Sequence, residues 1–460
     1  MAVILEIVER DEADNIIGTY IESRSESTEE PSNRIDVVYP NKRKPSWQRL
    51  LDVFLPTGYP HSVTEDYLEY QIYDSLQAFS SSIAGLLSSR AVLSSVGVGD
   101  ASASATAALL LSILQESAGR IATILFAHRL GTSLEPECKM YRLLADVLND
   151  IAFVLDCLSP AFPKPLRVII LSSSSVLRAL CGVAAGSAKA SLSAHFAKWG
   201  NLGELNAKDS SQETVISLVG MLVGSLVVSW VVTPAATWTT LILLLAIHLE
   251  TNRRAVRAVS MRTLNRQRAT LVYNWLKAGR VPSPSQVSAQ ERIFERDGVL
   301  RNTHGATVGY CTVGCKLSKI TAGLGPRHAT TGSLVRTETL LSKILDTYHD
   351  QAYVLWSEPC TANKQLQFHI ALKRGATVRD QLTAWWQALE LADAAQGEDS
   401  PLCNGMTYKY GAAEVIQASI ARSQTLMQQS EDQLLSAGWD LGTSALETLG
   451  SSRITIPAKQ

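Results

Sequence analysis

The 460-residue chain is short of the features that mark several large classes of protein. Its seven cysteines, Cys138, Cys157, Cys181, Cys311, Cys315, Cys360 and Cys403, are odd in number and scattered. That spacing excludes a disulfide framework and implies a reducing compartment or buried free thiols. An excess of one charge is also missing, since 42 Lys and Arg stand against 43 Asp and Glu, a formal net charge of −1. Neutralising phosphates needs a basic excess, so no chain-wide nucleic-acid role is expected. The apolar start from Met1 to Leu5 is too short for a signal peptide, and Glu6, Glu9, Asp11, Glu12 and Asp14 follow at once. Neither a cleaved signal nor an acid-poor transit peptide is expected.

Catalytic signatures are lacking as well. There is no G-x-S-x-G elbow, no P-loop and no G-x-G-x-x-G, and Gly97-x-Gly99 reads as a helix-end turn. Cys311-x-x-x-Cys315, with His304 and Cys360 elsewhere, falls short of the four ligands that zinc takes, and the eight histidines are isolated. The prediction is no enzyme, no catalytic residue, no metal and no cofactor.

What the chain does have is a long apolar middle between polar ends. Residues 1–50 read as a polar cap with strands at 3–8 and 35–39, a mobile polar stretch at 23–33 and a basic cluster at Lys42 to Lys44. The turn Phe54-Leu55-Pro56-Thr57-Gly58-Tyr59-Pro60 leads into the second region, 51–270. Six helices are predicted there, over 75–96, 101–127, 140–158, 168–188, 214–233 and 235–249. Residues 215–233 carry no charge and as a helix would rise about 28 Å, close to the hydrocarbon thickness of a bilayer. The hairpin 214–249 is the segment most clearly built for insertion, and the four earlier helices need partners. Gly182-x-x-x-Gly186 and Gly220-x-x-x-Gly224 offer close-contact faces. Gln115-Glu116-Ser117 and Gln212-Glu213-Thr214 recur 97 residues apart, compatible with a 3+3 helical repeat or with chance. Residues 271–460 read as a small soluble α+β domain. The fold class is therefore mainly α, a polytopic membrane core with a soluble C-terminal domain.

After Glu250 the chain turns basic, with Arg253, Arg254, Arg257, Arg262, Arg266 and Arg268 in succession. The positive-inside rule puts 253–268 on the cytosolic or matrix side of a multi-pass protein. Two groups of candidate site residues follow. The Gly/Asn-rich stretch from Gly200 runs into Lys208, Asp209, Ser210, Ser211, Gln212 and Glu213. It fits a helix start with Asp209 or Ser210 as cap and Gln212 or Glu213 closing a capping box, or an anion site on free N–H groups. The other group is polar within apolar helices: Arg90, Glu116, Arg120, Asp146, Asn149, Asp150 and Arg178. Arg142, Asp146 and Asp150 share one helix face, and carboxylates at bilayer depth need partners, for which Arg90, Arg120 and Arg178 are available. A polar pathway or proton relay and a structural ion-pair layer are the two readings.

Several ordered stretches resemble the root UVB sensitive family. They include Phe54-Leu55-Pro56-x-Gly58-Tyr59-Pro60, Asp66-Tyr67-Leu68-x-Tyr70-Gln71 and Asp74-Ser75-x-Gln77-Ala78-Phe79. Leu144-Ala145-Asp146-Val147-Leu148-Asn149-Asp150, Ala207-Lys208-Asp209-Ser210-Ser211-Gln212-Glu213-Thr214 and Arg254-Ala255-Val256-Arg257-Ala258 continue the match. The resemblance implies a membrane-associated protein linked to vitamin B6 homeostasis. It also implies a pyridoxal-type ligand, a lipid bilayer as partner and a homo- or hetero-oligomer with another family member, and it carries over no catalytic residue. Two functions fit: a transporter of a small solute, or a membrane-anchored scaffold acting through a partner.

Overall fold

The computed structural model describes residues 2–10, 16–24, 33–39, 53–97, 104–198, 200–325, 328–334, 341–358, 366–395, 412–450 and 452–456. The Lys42 to Lys44 cluster, Gly99, Cys360, Cys403 and most of the polar stretch 23–33 lie outside them. The chain divides into two units. The first comprises Met1–Glu116, Asp146–Arg178 and Lys189–Val259, and the second Ser117–Ala145, Ala179–Ala188 and Ser260–Gln460.

In the first unit three strands, β1 (Ala2–Arg10), β2 (Ile16–Arg24) and β3 (Asn33–Val38), form an antiparallel meander. Only two strands were expected; β2 is identified by pairing with both neighbours rather than by its own pattern. Six long helices follow: α1 (Tyr67–Val96), α2 (Ala105–Leu134), α3 (Cys138–Leu158), α4 (Lys164–Phe196), α5 (Leu202–Trp230) and α6 (Pro234–Ala258). Each overlaps one predicted helix, although α2 begins at Ala105 rather than 101 and α5 ends at Trp230 rather than 233. Three of them, α2 from Thr106, α4 and α5, are long and apolar enough to cross a membrane. The apolar half of α6 is too short to join them, because Glu250, Arg253 and Arg254 interrupt it.

Within the first unit α1 packs along both α5 and α6. Glycine sets the α1–α5 spacing. A Cβ on Gly220 would sit 2.7 Å from Ser82 Cβ and 3.1 Å from the Phe79 carbonyl, and one on Gly224 would sit 2.7 Å from Leu86 Cδ1. Gly182 and Gly186, the other small-residue pair, meet nothing within 4 Å. The break between α5 and α6 is held by Arg90 of α1, which donates to the carbonyls of Val228 (3.0 Å) and Val231 (2.7 Å) and to Thr237 Oγ1 (2.9 Å). Those carbonyls end a helix and have no intrahelical partner of their own.

The second unit holds the larger soluble-type core. Its sheet runs β4 (Val299–Arg301), β5 (Thr307–Val313), β7 (Gln367–Lys373), β6 (Tyr353–Ser357), with β8 (Arg453–Ile454) pairing parallel to β7. The first two strands fall in 298–331, a stretch whose sequence is loop-rich and hard to assign. β5 pairs parallel with β7, nearly sixty residues on, so its strand character is a tertiary property. The helices are α7 (Arg266–Lys277), α8 (Pro284–Gln290), α9 (Leu317–Ala322), α10 (Leu341–Thr347), α11 (Val378–Ala394) and α12 (Ala412–Ser436). The helical pattern of 286–297 is realised only as far as Gln290, and that of 412–449 only as far as Ser436. Trp385 and Trp386 of α11 are fully buried and donate to Thr270 Oγ1 (3.0 Å) and the Ala269 carbonyl (3.1 Å), locking α11 onto α7.

The basic run after Glu250 is not a uniform solvated strip. Glu250 pairs with Arg253 and Arg254. Arg268 is buried against Glu291 at 2.7 Å, which also takes Lys139 at 2.7 Å, while the buried Arg266 pairs with Asp297. Beside them Glu137 accepts a hydrogen bond from Asn265 Nδ2 at 3.1 Å. Burial pushes the Glu137 carboxyl up to about 7, although Arg268 and Arg266 favour its charge, since Glu291 and Asp297 oppose it.

Two outcomes are expected. Gly220→Val should destabilise the purified protein by about 1–3 kcal/mol through overpacking against α1, whereas Gly182→Val should leave its thermal midpoint nearly unchanged. Because the folded-state Glu137 pKa lies above its unfolded value, stability falls as pH rises between them. Glu137→Gln should therefore melt above the parent at about pH 8 and together with it at about pH 4.

Candidate functional site

The candidate site is a stripe of polar side chains along α1. Gln71, Asp74, Gln77, Ser80 and Ser88 are all buried. Successive intervals of three, three, three and eight residues make the stripe wind across about half of the helix circumference. From Gln71 to Ser88 the stripe rises roughly 26 Å. Each member meets a polar group carried by another helix or by its own turn.

At the centre, Gln77 Nε2 donates to Asp146 Oδ2 of α3 at 2.7 Å and lies 2.8 Å from His248 Nε2 of α6. Asn252 Nδ2, one turn further along α6, also donates to Asp146 Oδ2. His248 Nδ1 faces Asp150 Oδ1 at 2.7 Å, and its Nε2 is 3.5 Å from Asp146 Oδ2. The imidazole is fully buried. This geometry selects a tautomer. The two Gln77 amide hydrogens go to Asp146 and to His248 Nε2, so Nε2 accepts and Nδ1 is the protonated nitrogen, close to Asp150 but off the line of a hydrogen bond. Protonating the ring would make both nitrogens donors, and the Gln77 amide would have to turn over. Asn149 adds a long contact, 3.5 Å, to Ser81 Oγ.

Toward the C-terminal end of α1, Ser88 Oγ donates to Asp156 Oδ2 at 2.7 Å, and Arg178 of α4 reaches both Asp156 and Ser88. The Arg178 guanidinium also sits 5.3 Å from the centre of the Phe153 ring. Toward the N-terminal end, Gln71 Nε2 donates to Asp209 Oδ1 of α5 at 2.7 Å, and Lys189 of α4 pairs with Asp209 at 2.8 Å and Glu213 at 2.6 Å.

The structure thus joins some predicted residues and separates others. Asp146, Asn149 and Asp150 lie in the stripe, but their partners differ from the expected arginines. Arg90 caps carbonyls, Arg178 serves Asp156, and Arg120 with Glu116 lies on the exposed side of α2. His248, Gln77, Asn252 and Asp156 complete the site and were not named from sequence. His248 is the one histidine inside the apolar helix 235–249, and that placement is the signal that could have found it.

The Lys208 to Glu213 stretch is corrected more sharply. The helix begins at Leu202 behind Asn201, with no side-chain cap, so these residues lie in its second and third turns and neither a cap at Asp209 nor a capping box exists. Their amides are spent in the helix. Lys208 Nζ donates to the Val53 carbonyl at 2.7 Å and Gln212 Nε2 to that of Phe54 at 2.7 Å, tying α5 to the turn that precedes α1. Ser211 Oγ bonds back to the Ala207 carbonyl, and Ser210 is exposed. Of the cysteine pair, both thiols are buried, and burial pushes Cys315 up to about 11 and Cys311 higher still, so both stay protonated.

Around this polar interior the exterior is apolar. Leu222 and Leu226 on α5 are 62% exposed, Ile124 on α2 is 67% exposed and Ile242 on α6 is 61% exposed. Large apolar side chains thus face outward on helices whose interior holds both the polar stripe and an apolar cluster of Leu87, Phe153 and Leu241.

Comparison with known proteins rests on these same helices. The family model for the vitamin B6 photo-protection and homoeostasis domain matches residues 40–279. The chain belongs to that family. All the stripe residues fall inside the matched region. The chain is 38% identical over 294 residues to RUS family member 1 of Dictyostelium discoideum, covering 63% of this chain and 55% of that one. It is 36% identical over 278 residues to protein root UVB sensitive 3 of Arabidopsis thaliana, covering 60% and 61%. The matched part thus spans little more than half the length of these relatives. No solved structure matches.

The two groups of candidates separate by experiment. Asn252→Leu removes a donor from buried Asp146 and should cost about 1–3 kcal/mol. Lys208→Ala, at an exposed contact, should stay within about 0.5 kcal/mol. Both are read from thermal unfolding in detergent.

Proposed function

We propose that the chain is an integral membrane protein whose helical unit carries a small polar solute, coupled to protons, along the α1 stripe, and that this activity serves vitamin B6 homeostasis. One observation carries the reading: clusters of ionisable and polar groups recur along α1, inside helices that expose large apolar side chains. Intramembrane carboxylates and histidines are costly in hydrocarbon, and they occur where a polar path or a proton relay runs. Asp150, His248, Asp146 and Gln77 have the spacing of such a relay. A proton taken up at His248 reorients Gln77 and loosens its hold on Asp146, which gives the helices two arrangements. In this proposal α2, α4 and α5 cross the bilayer, and α1, α3 and α6 complete a six-helix core. The residues after Glu250 face the cytosol or an organelle matrix. No catalysis is assigned.

The second reading is a scaffold. The second unit supports it, since its broad core around Trp385, Trp386 and β7 suits a domain that docks a partner.

Reconstitution decides between them. Proteoliposomes should move a pyridoxal-type vitamer or another small solute together with protons. His248→Gln and Asp150→Asn should lower that flux by roughly tenfold or more while the protein stays folded by circular dichroism. Wild-type flux in both variants would remove the relay. Absence of flux across a broad solute panel, with folded wild-type protein, would leave the scaffold.

A further inference from the structure

The second unit contains a cavity of about 660 Å³ that none of the preceding functional reading uses. That volume lies in the range of small-molecule sites. Its floor is the end of α2 and the start of α3, with Leu130, Met140 and Tyr141, and one wall is α7, with Leu271 and Trp275. Over the opposite side lies the segment between α8 and β5. The body of the cavity is therefore apolar and aromatic, and the Trp275 indole is among its lining groups.

The lip is cationic. Five arginines line the cavity against three carboxylates, Glu137, Glu295 and Asp297. Two of the five are committed. Arg266 pairs with Asp297 and Thr448, and Arg301 is clamped by Glu295 at 2.6 and 2.9 Å. Arg280, Arg292 and Arg296 are exposed at the lip. Arg296 is steadied by Tyr310, with its guanidinium 4.6 Å from the ring centre and a 3.0 Å hydrogen bond to the phenol oxygen. Arg292 stands 3.9 Å from Glu295, a distance that neutralises little. Guanidinium forks match the geometry of phosphate oxygens.

We propose that this cavity binds a planar aromatic phosphate monoester, its ring against Trp275 and its phosphate at Arg292 and Arg296. Among the described residues no lysine lines the cavity, so an aldehyde on the ring meets no lining amine to condense with. Such a ligand is held by stacking and ion pairing and can leave unchanged. The site is thus one for sensing or holding the ester, not for a reaction on it. It stands whether or not the helical unit moves a solute.

The test is calorimetric titration of the purified full chain with pyridoxal 5′-phosphate, pyridoxal and inorganic phosphate. The aromatic ester should bind, and each fragment should bind at least about tenfold more weakly. The Arg292→Ala/Arg296→Ala double variant should lose about tenfold or more in affinity for the ester. Arg374→Ala, away from the cavity, should bind it normally. Both variants must match the parent in thermal unfolding. Three results would overturn the proposal. These are no ester binding to folded protein, unchanged affinity in the double variant, and arginine-dependent binding seen only with phosphatidic acid vesicles, which would make the ligand a lipid headgroup.

Discussion

A carboxylate that cannot reach water organises the helical unit. Asp146 is buried, so its lone pairs must be met by protein donors. Gln77 and Asn252 supply them from α1 and α6, and His248 sits beside them with Asp150 on its far nitrogen. Removing any one partner leaves a charge in a medium that solvates it poorly. Three helices are thereby fixed in rotation about their axes. The remaining polar contacts of α1, to Asp209 at one end and Asp156 at the other, repeat the same constraint.

Packing and polarity act together along α1. Its contact with α5 depends on Gly220 and Gly224, which bring the two backbones close. Arg90 satisfies the carbonyls where α5 ends. The outward faces carry many leucines, isoleucines and valines, while Asp146, Asp150, Asp156 and Asp209 are buried.

The second unit is built on other physics. Its tryptophans, β7 and α11 form a core of the kind found in water, and its buried charges are paired locally, Glu291 with Arg268 and Lys139. A sheet of this kind can position a rigid cavity, as the arginine-lined pocket requires. Membership of the vitamin B6 photo-protection and homoeostasis family concerns residues 40–279, which cover the helices and α7 but not the sheet.

Much of this was legible in the sequence. The six helices, the lack of charge from Val215 to Thr233, the Gly220-x-x-x-Gly224 face and the suspect carboxylates Asp146 and Asp150 depend only on local composition and period. Helix α11 is legible from its amphipathic pattern alone. The start of α5 was misread because the glycines and asparagine near Gly200 suggest a loop up to Ser210, yet Leu202 onward already forms helix, anchored by Lys208 and Gln212 to residues 53–54. Strands β4 and β5 were missed because their partners lie far along the chain.

What only the tertiary structure decided is which groups meet. Gln77 lies 69 residues from Asp146 and 171 from His248, and Asp146 lies 106 from Asn252. No local pattern encodes such pairings. The sequence alone established that polar residues sit in apolar helices and must be satisfied. Only the packing of α1 against α3, α5 and α6 determined that a histidine, not an arginine, stands between the two carboxylates. The physical reason is range: helix length and hydropathy are properties of neighbours in sequence, whereas the partner of a buried charge is chosen by the geometry of the whole bundle.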